Sequence, residues 1–250
     1  MRAKFRELNR TWIICFAALC MLCIPTALLA QCREPTAPER QAAENAARVI
    51  QQTLDAPVAS LGWKAQGEKS VLSAGGLSIA KASNPPRPLM SCGALYSAKF
   101  IITETNSRYA TVHAQTEKLT SGHAKPDEIK EISRAMAAGD LEIRATENEP
   151  YMRSTRSEPI RKLDVPGVAV AFQEPSSDDE LKVDTTVCFG AWKPEIVFGA
   201  NNRYIPFPFL HPKETPFIEN LCVRIHATPE VAEDVLHKVN WQSLNAALAK

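Results

Sequence analysis

The sequence predicts an α+β fold in which antiparallel sheets carry helices packed on one side. Three observations predict it. Short segments alternate apolar and polar residues between clusters of Asn, Asp, Ser, Gly and Pro, the mark of half-buried strands. A few segments instead repeat apolar residues at helical spacing between start and stop signals. With 45% hydrophobic and 23% charged residues of mixed sign, the chain has the composition of a folded protein rather than a disordered one.

The N-terminus reads as an export element. Arg2, Lys4, Arg6 and Arg10 precede Thr11 to Ala30, which carries no charge. That order matches a signal n-region and the positive-inside rule. The apolar run is close to the ~20 residues that span a bilayer as helix and longer than the core of a typical cleaved signal. Three forms fit it: an uncleaved anchor, cleavage after Ala30, and lipid attachment at Cys32, where Gln31 stands in place of the small residue such sites prefer. All three place the rest of the chain in the periplasm, outside the cytoplasm.

Residues 33–37 form a short tether. Thr36 and Glu39 make a capping box, and Ala43, Ala46, Ala47, Ile50 and Leu54 follow at helical spacing, so a helix is expected from about residue 37 to 54, with Pro57 ending it. Short strands are expected in VASLGW, KSVLS and LSIAKA. KFIITET and RYATVHAQ, separated by Asn106 and Ser107, read as a β-hairpin because both arms hold β-branched and aromatic residues.

From Pro126 the pattern becomes helical, with Ile129, Ile132 and Met136 before Gly139. LEIRA is a strand. Residues 149–166 are polar and proline-punctuated, the best boundary between two units. GVAVAF, LKVDTTVCFGAW, EIVFG and LCVRIHA are strands, while RYIPFPFLHP holds too many prolines for a central one. Thr228 and Pro229 then start a helix with Ala232, Val235, Leu236 and Val239 on its apolar side. A last helical piece holds Trp241, Leu244 and Leu248.

This gives a signal or anchor (1–32), a tether and helix (33–57), a first α+β unit (58–148), a linker (149–166) and a second unit (167–250). The halves share a rhythm. Cys92 precedes Tyr96 as Cys188 precedes Trp192, and the dyads His113-Ala114 and His226-Ala227 each end a strand. A tandem duplication explains the rhythm economically, although dyads this short recur by chance.

Of 7 cysteines, Cys15, Cys20 and Cys23 sit in the apolar segment. An oxidising compartment allows pairing among Cys32, Cys92, Cys188 and Cys222. The preferred bridge joins Cys188 to Cys222, both in strand-like segments of one unit; buried free thiols are the alternative.

Motifs for catalysis are few. Beyond the apolar N-terminal segment, which holds Cys20 and Cys23, no His-x-x-x-His or Cys-x-x-Cys pair exists to hold zinc. A Gly-x-Ser-x-Gly elbow and a phosphate loop are equally missing. Ser78 and Lys81 match a Ser-x-x-Lys pair, but in strand-like surroundings and without a later Lys-Thr-Gly. The acidic run Asp178, Asp179, Glu180 reads as a solvated turn. Arg153, Arg156, Arg161 and Lys162 are interleaved with Glu147, Glu149, Glu158 and Asp164, which makes a mixed-charge loop. With 29 basic and 28 acidic side chains overall, four of the basic ones before residue 11, the chain offers no basic stripe for nucleic acid. No cofactor is expected.

Tyr204, Phe207, Phe209 and Phe217 crowd among Pro206, Pro208, Pro212 and Pro216. Exposed, these rings would anchor a protein partner; buried, they would plug the sheet. The functional expectation is a tethered or periplasmic protein that binds a protein partner in the envelope, of the immunity or inhibitor type, such as one that neutralises a toxin or an enzyme. The alternatives are a small envelope hydrolase using His113 or His226 as base, which a pocket joining that histidine to a carboxylate and a hydroxyl would favour, and an accessory subunit of an envelope complex.

Overall fold

The computed structural model describes residues 32–67, 70–71, 79–80, 93–149, 151–154, 160–193, 197–198, 203–210 and 218–248. The expected export segment falls outside that set. Among the described residues no helix is long and apolar enough to cross a membrane.

The α+β prediction holds. One sheet dominates, built from β2 (Trp63–Ala65), β3 (Ser70–Val71), β5 (Tyr96–Ile102), β6 (Asp140–Glu147), β8 (Arg161–Lys162), β9 (Val170–Pro175), β10 (Val183–Phe189) and β13 (Leu221–Ala227). Its order is β2-β5-β6-β13-β10-β9-β8, with β3 beside β5. Every pairing in it is antiparallel. At its centre β6, from the expected first unit, pairs with β13 from the second, so both halves share one sheet and one core. A small sheet of β7 (Tyr151–Ser154), β11 (Val197–Phe198) and β12 (Arg203–Pro206) runs in the order β11-β12-β7. The remaining pair joins β1 (Cys32–Arg33) to β4 (Ile79–Ala80).

The central strands alternate as expected. In β6, Leu141, Ile143 and Ala145 are buried while Asp140, Glu142, Arg144 and Thr146 point the other way. Residues of the first kind join Tyr96, Ala98, Phe100, Val187, Phe189, Leu221, Val223, Ile225 and Ala227 in the main core. Helix α1 (Ala37–Ser60) covers that face with Ala43, Ala46, Ile50, Leu54 and Val58. Helix α4 (Pro229–Lys238) adds Val231, Ala232 and Val235, and a closing 3-10 turn (Trp241–Ala247) adds Trp241 and Leu244. Each fully buried aliphatic or aromatic side chain of this kind stabilises by about 1.5–3 kcal/mol, so this face holds the fold together.

Several expectations need correction. Helix α1 does not stop at Pro57 but runs through it to Ser60. A proline in the last turn forgoes a single backbone bond, and burial of Val58 in the core offsets that loss. The capping box at Thr36 is present as read. At α4 the proline sits at the helix start as expected, yet Thr228 makes no side-chain cap, and its hydroxyl is buried without a hydrogen-bond partner.

The largest error concerns RYATVHAQ. It is no hairpin arm but part of helix α2 (Tyr109–Thr120), followed by helix α3 (Ile129–Ala137). Asn106 turns the chain: its amide donates to the Leu61 carbonyl and its side-chain oxygen accepts from the Arg108 N–H. Those bonds start a helix where a two-residue hairpin loop had been expected. His113 is therefore on a helix, its ring 5.6 Å from that of Tyr109 and tilted by 33°, and its supposed equivalence with His226 fails. That removes one of the dyads that suggested duplication. Gly139 lets β6 begin directly under α2, since a Cβ there would lie 2.9 Å from Val112.

Segments expected to be irregular also hold strands. The proline-rich stretch supplies β12, the middle strand of the small sheet, which ends at Pro206. The linker contributes β7 and β8.

Candidate functional site

The second face of the main sheet has two halves, set by which side chains alternate outward. Strand register arranges them in rows. Cys188 lies opposite Cys222, and Cys222 opposite Thr146. One step along, Thr186 lies opposite Arg224, Arg224 opposite Arg144, and Arg144 opposite Ser97. In the next row Asp184 faces His226, His226 faces Glu142, and Glu142 faces Lys99.

The cysteine end is apolar and covered. Cys188 and Cys222 form the expected disulfide. Phe172, Trp192, Ile205 and Phe207 pack on it, with Phe209 at the margin. Trp192 donates its indole N–H to the Phe189 carbonyl at 2.9 Å. Phe207 meets Trp192 at 5.1 Å and Phe209 at 5.2 Å, both edge-on. Of the four aromatic partner-binding candidates, Phe207 is thus buried and Phe209 half-buried. The described part of that segment plugs the sheet, the second of the two readings above. Tyr204 sits in β12 with its side chain outside the described residues, and Phe217 lies wholly outside them. The neighbouring Leu210 is 72% exposed.

Gly190 is what lets the plug close. Its φ is +105°, and a Cβ there would lie 2.4 Å from the Glu219 carbonyl oxygen and 3.0 Å from the Phe207 ring. Behind it, Asn148 and Asn220 lash the end of β6 to the start of β13. The Asn148 side-chain oxygen accepts from the Glu219 and Asn220 N–H groups, while the Asn220 side chain bonds both the N–H and the carbonyl of Glu149.

The other end is charged, with Arg144 and Arg224 exposed and Asp184 buried. Glu142, Arg144, Asp178, Asp184, Arg224 and His226 line a basin of about 120 Å³. The Nδ1 of His226 lies 3.0 Å from Asp184 Oδ1. With Nδ1–H donating to that carboxylate, the neutral ring keeps Nε2 as its basic nitrogen. Arg224 Nε is 3.9 Å from the same Asp184 oxygen, and Lys99 Nζ is 3.7 Å from Glu142 Oε2. Among the described residues Arg144 makes no ion pair, and no group of His, Cys, Asp and Glu could hold a metal ion.

Chemically the basin offers a histidine held by a carboxylate, two arginine forks and flanking carboxylates. Among the described residues that line it there is no serine, threonine or cysteine, and so no hydroxyl or thiol nucleophile. The histidine half of the expectation is met for His226, which a carboxylate accompanies; the hydroxyl is lacking. His113, on α2, is not among the basin's lining residues. The Ser78 and Lys81 pair, His211, Cys92 and the side chain of Cys32 lie outside the described residues.

Sequence reading had passed over Glu142, Arg144, Asp184 and Arg224. A signal existed in the outward positions of the strands, Glu-x-Arg in β6 and Arg-x-His in β13. What was missing was the pairing of those two strands across the length of the chain. Comparison with protein-family models, with curated proteins and with solved structures finds no match.

Proposed function

We propose that the part of the chain after the N-terminal segment works by gripping another protein in the cell envelope, in the manner of an immunity protein or inhibitor, through the charged half of the second sheet face. The observation that supports this is the shape and chemistry of the basin. Pockets that enclose a small molecule usually measure about 300–1,000 Å³, well above the 120 Å³ here. A shallow surface with ordered charges and an adjoining apolar rim suits a protein surface, where a few anchors supply most of the affinity. The mixed signs, Lys99 and two arginines among Glu142, Asp178 and Asp184, favour charge-for-charge complementarity over a generic polyanion.

A second reading rests on the 3.0 Å contact between His226 and Asp184. Such a pair is a competent general base. With no hydroxyl or thiol among the described residues of the basin, the pair would activate water, in a hydrolase of small or exposed substrates.

Affinity capture from envelope extract, using the full chain in detergent and its His226→Gln variant, separates the two. The binding reading expects a stoichiometric protein partner retained by the wild type. A defined hydrolytic activity that vanishes in His226→Gln, with no stoichiometric partner, would overturn it in favour of the enzyme.

A further inference from the structure

We infer that Arg144 and Arg224 form a clamp for a carboxylate presented by an acidic segment of the partner; this rests on the protein-binding reading above. The two arginines are direct register partners across β6 and β13, both exposed on the second face. Like charges directly opposite in an antiparallel pair destabilise the sheet. The described residues offset this one only in part. Among them Arg144 makes no ion pair, and the one ion pair of Arg224 is with Asp184, at 3.9 Å. That oxygen is already engaged by His226 at 3.0 Å. Both guanidinium groups therefore keep donors free, on side chains that start from directly opposed positions of two central strands.

An incoming carboxylate meets what each fork is shaped for, two parallel N–H donors, and a charge placed between the arginines turns their repulsion into attraction. The surroundings narrow the choice of anion. Glu142, Asp178 and Asp184 line the same basin and oppose a dianion more strongly than a singly charged group, so a carboxylate is favoured over phosphate. Arg224 is 51% exposed, which makes the contact one of the rim: fast, salt-sensitive and selective more than tight.

The test uses the full chain in detergent micelles, with arginine Nε–Hε resonances observed by NMR during titration with a capped oligoaspartate peptide, its oligoasparagine counterpart, and inorganic phosphate. The clamp expects the Arg144 and Arg224 signals to shift with oligoaspartate alone or most tightly. It further expects a dissociation constant at least tenfold weaker in Arg144→Gln and in Arg224→Gln, while the control Glu230→Gln on α4 leaves it unchanged. Equal shifts with oligoasparagine, tighter binding of phosphate, or shifts confined to other residues would overturn it. Capture of the envelope partner by the double variant as efficiently as by the wild type would also overturn the clamp while leaving protein binding intact. Conversely, oligoaspartate seated on both arginines without any partner captured by the wild type would sink the binding reading and leave the clamp standing.

Discussion

Cys188 and Cys222 face each other across β10 and β13, joined by a disulfide with a Cα separation of 4.2 Å, at the line where the apolar plug gives way to the charged half of the sheet. The bridge closes a loop of sequence separation 34 that contains the whole plug segment. Cross-linking a loop of this length removes denatured-state entropy worth about 2–4 kcal/mol. Replacing both cysteines by alanine should lower stability by that order in urea denaturation, and a reductant should lower the wild type toward the variant. A reductant without effect on the wild-type midpoint would show that the bridge is absent.

Phe207 is 6% exposed and packed between Trp192 and Phe209. Truncation to alanine is therefore expected to cost about 3–5 kcal/mol of stability, as for other buried aromatics. Leu210→Ser, at an exposed site, should change stability by less than about 0.5 kcal/mol. Reversed sensitivities in thermal unfolding would mean that the ring is offered to solvent and serves as an anchor.

Tyr96 is fully buried, and its hydroxyl donates to Asp55 at 3.0 Å. Burial, then the neighbouring Asp55 charge and the hydrogen bond, push its phenol far above the ordinary value of 10.0. A raised folded pKa means that this contribution to stability is complete below pH ~10 and is lost as pH climbs past it, because the unfolded phenol ionises first. Tyr96→Phe should flatten the alkaline fall in stability above that pH. Identical pH profiles for the two proteins would contradict the burial and the bond.

Asn148 is buried with φ at +50°, a conformation that asparagine tolerates and most side chains do not. Asn148→Ala should cost about 1–3 kcal/mol, since two backbone N–H groups lose their acceptor and the backbone stays strained. Asn148→Gly relieves the strain alone and should fall between alanine and wild type in urea midpoint. A glycine variant less stable than the alanine one would assign the conformation some other cause.

Much of the fold was legible because one face of the sheet is deeply buried. Period-two alternation in β6 and β13 follows from that burial, and so does the pairing of Cys188 with Cys222 in adjacent strands. Helix α2 was misread because β-branched and aromatic content is a weak guide where packing is slight; no residue of α2 is buried. Its helical spacing, Tyr109, Val112, Thr116 and Leu119, was there to be seen. Pro57 misled in the same way, local chemistry yielding to the core beneath Val58. The charged basin was the least legible part. Its members come from β6, β10, β13 and the turn at Asp178, and only the register of distant strands brings Arg144 beside Arg224.

The charged half of the second sheet face is the surface assigned to the partner, and photo-cross-linking in living cells tests that directly. A cross-linking side chain would be placed at Lys99 on this face, at Glu230 on the helical side and at Leu210 beside the plug. The account predicts a discrete protein adduct from the Lys99 position and none of comparable yield from Glu230. An adduct from Glu230 or Leu210 with nothing from Lys99 would contradict it.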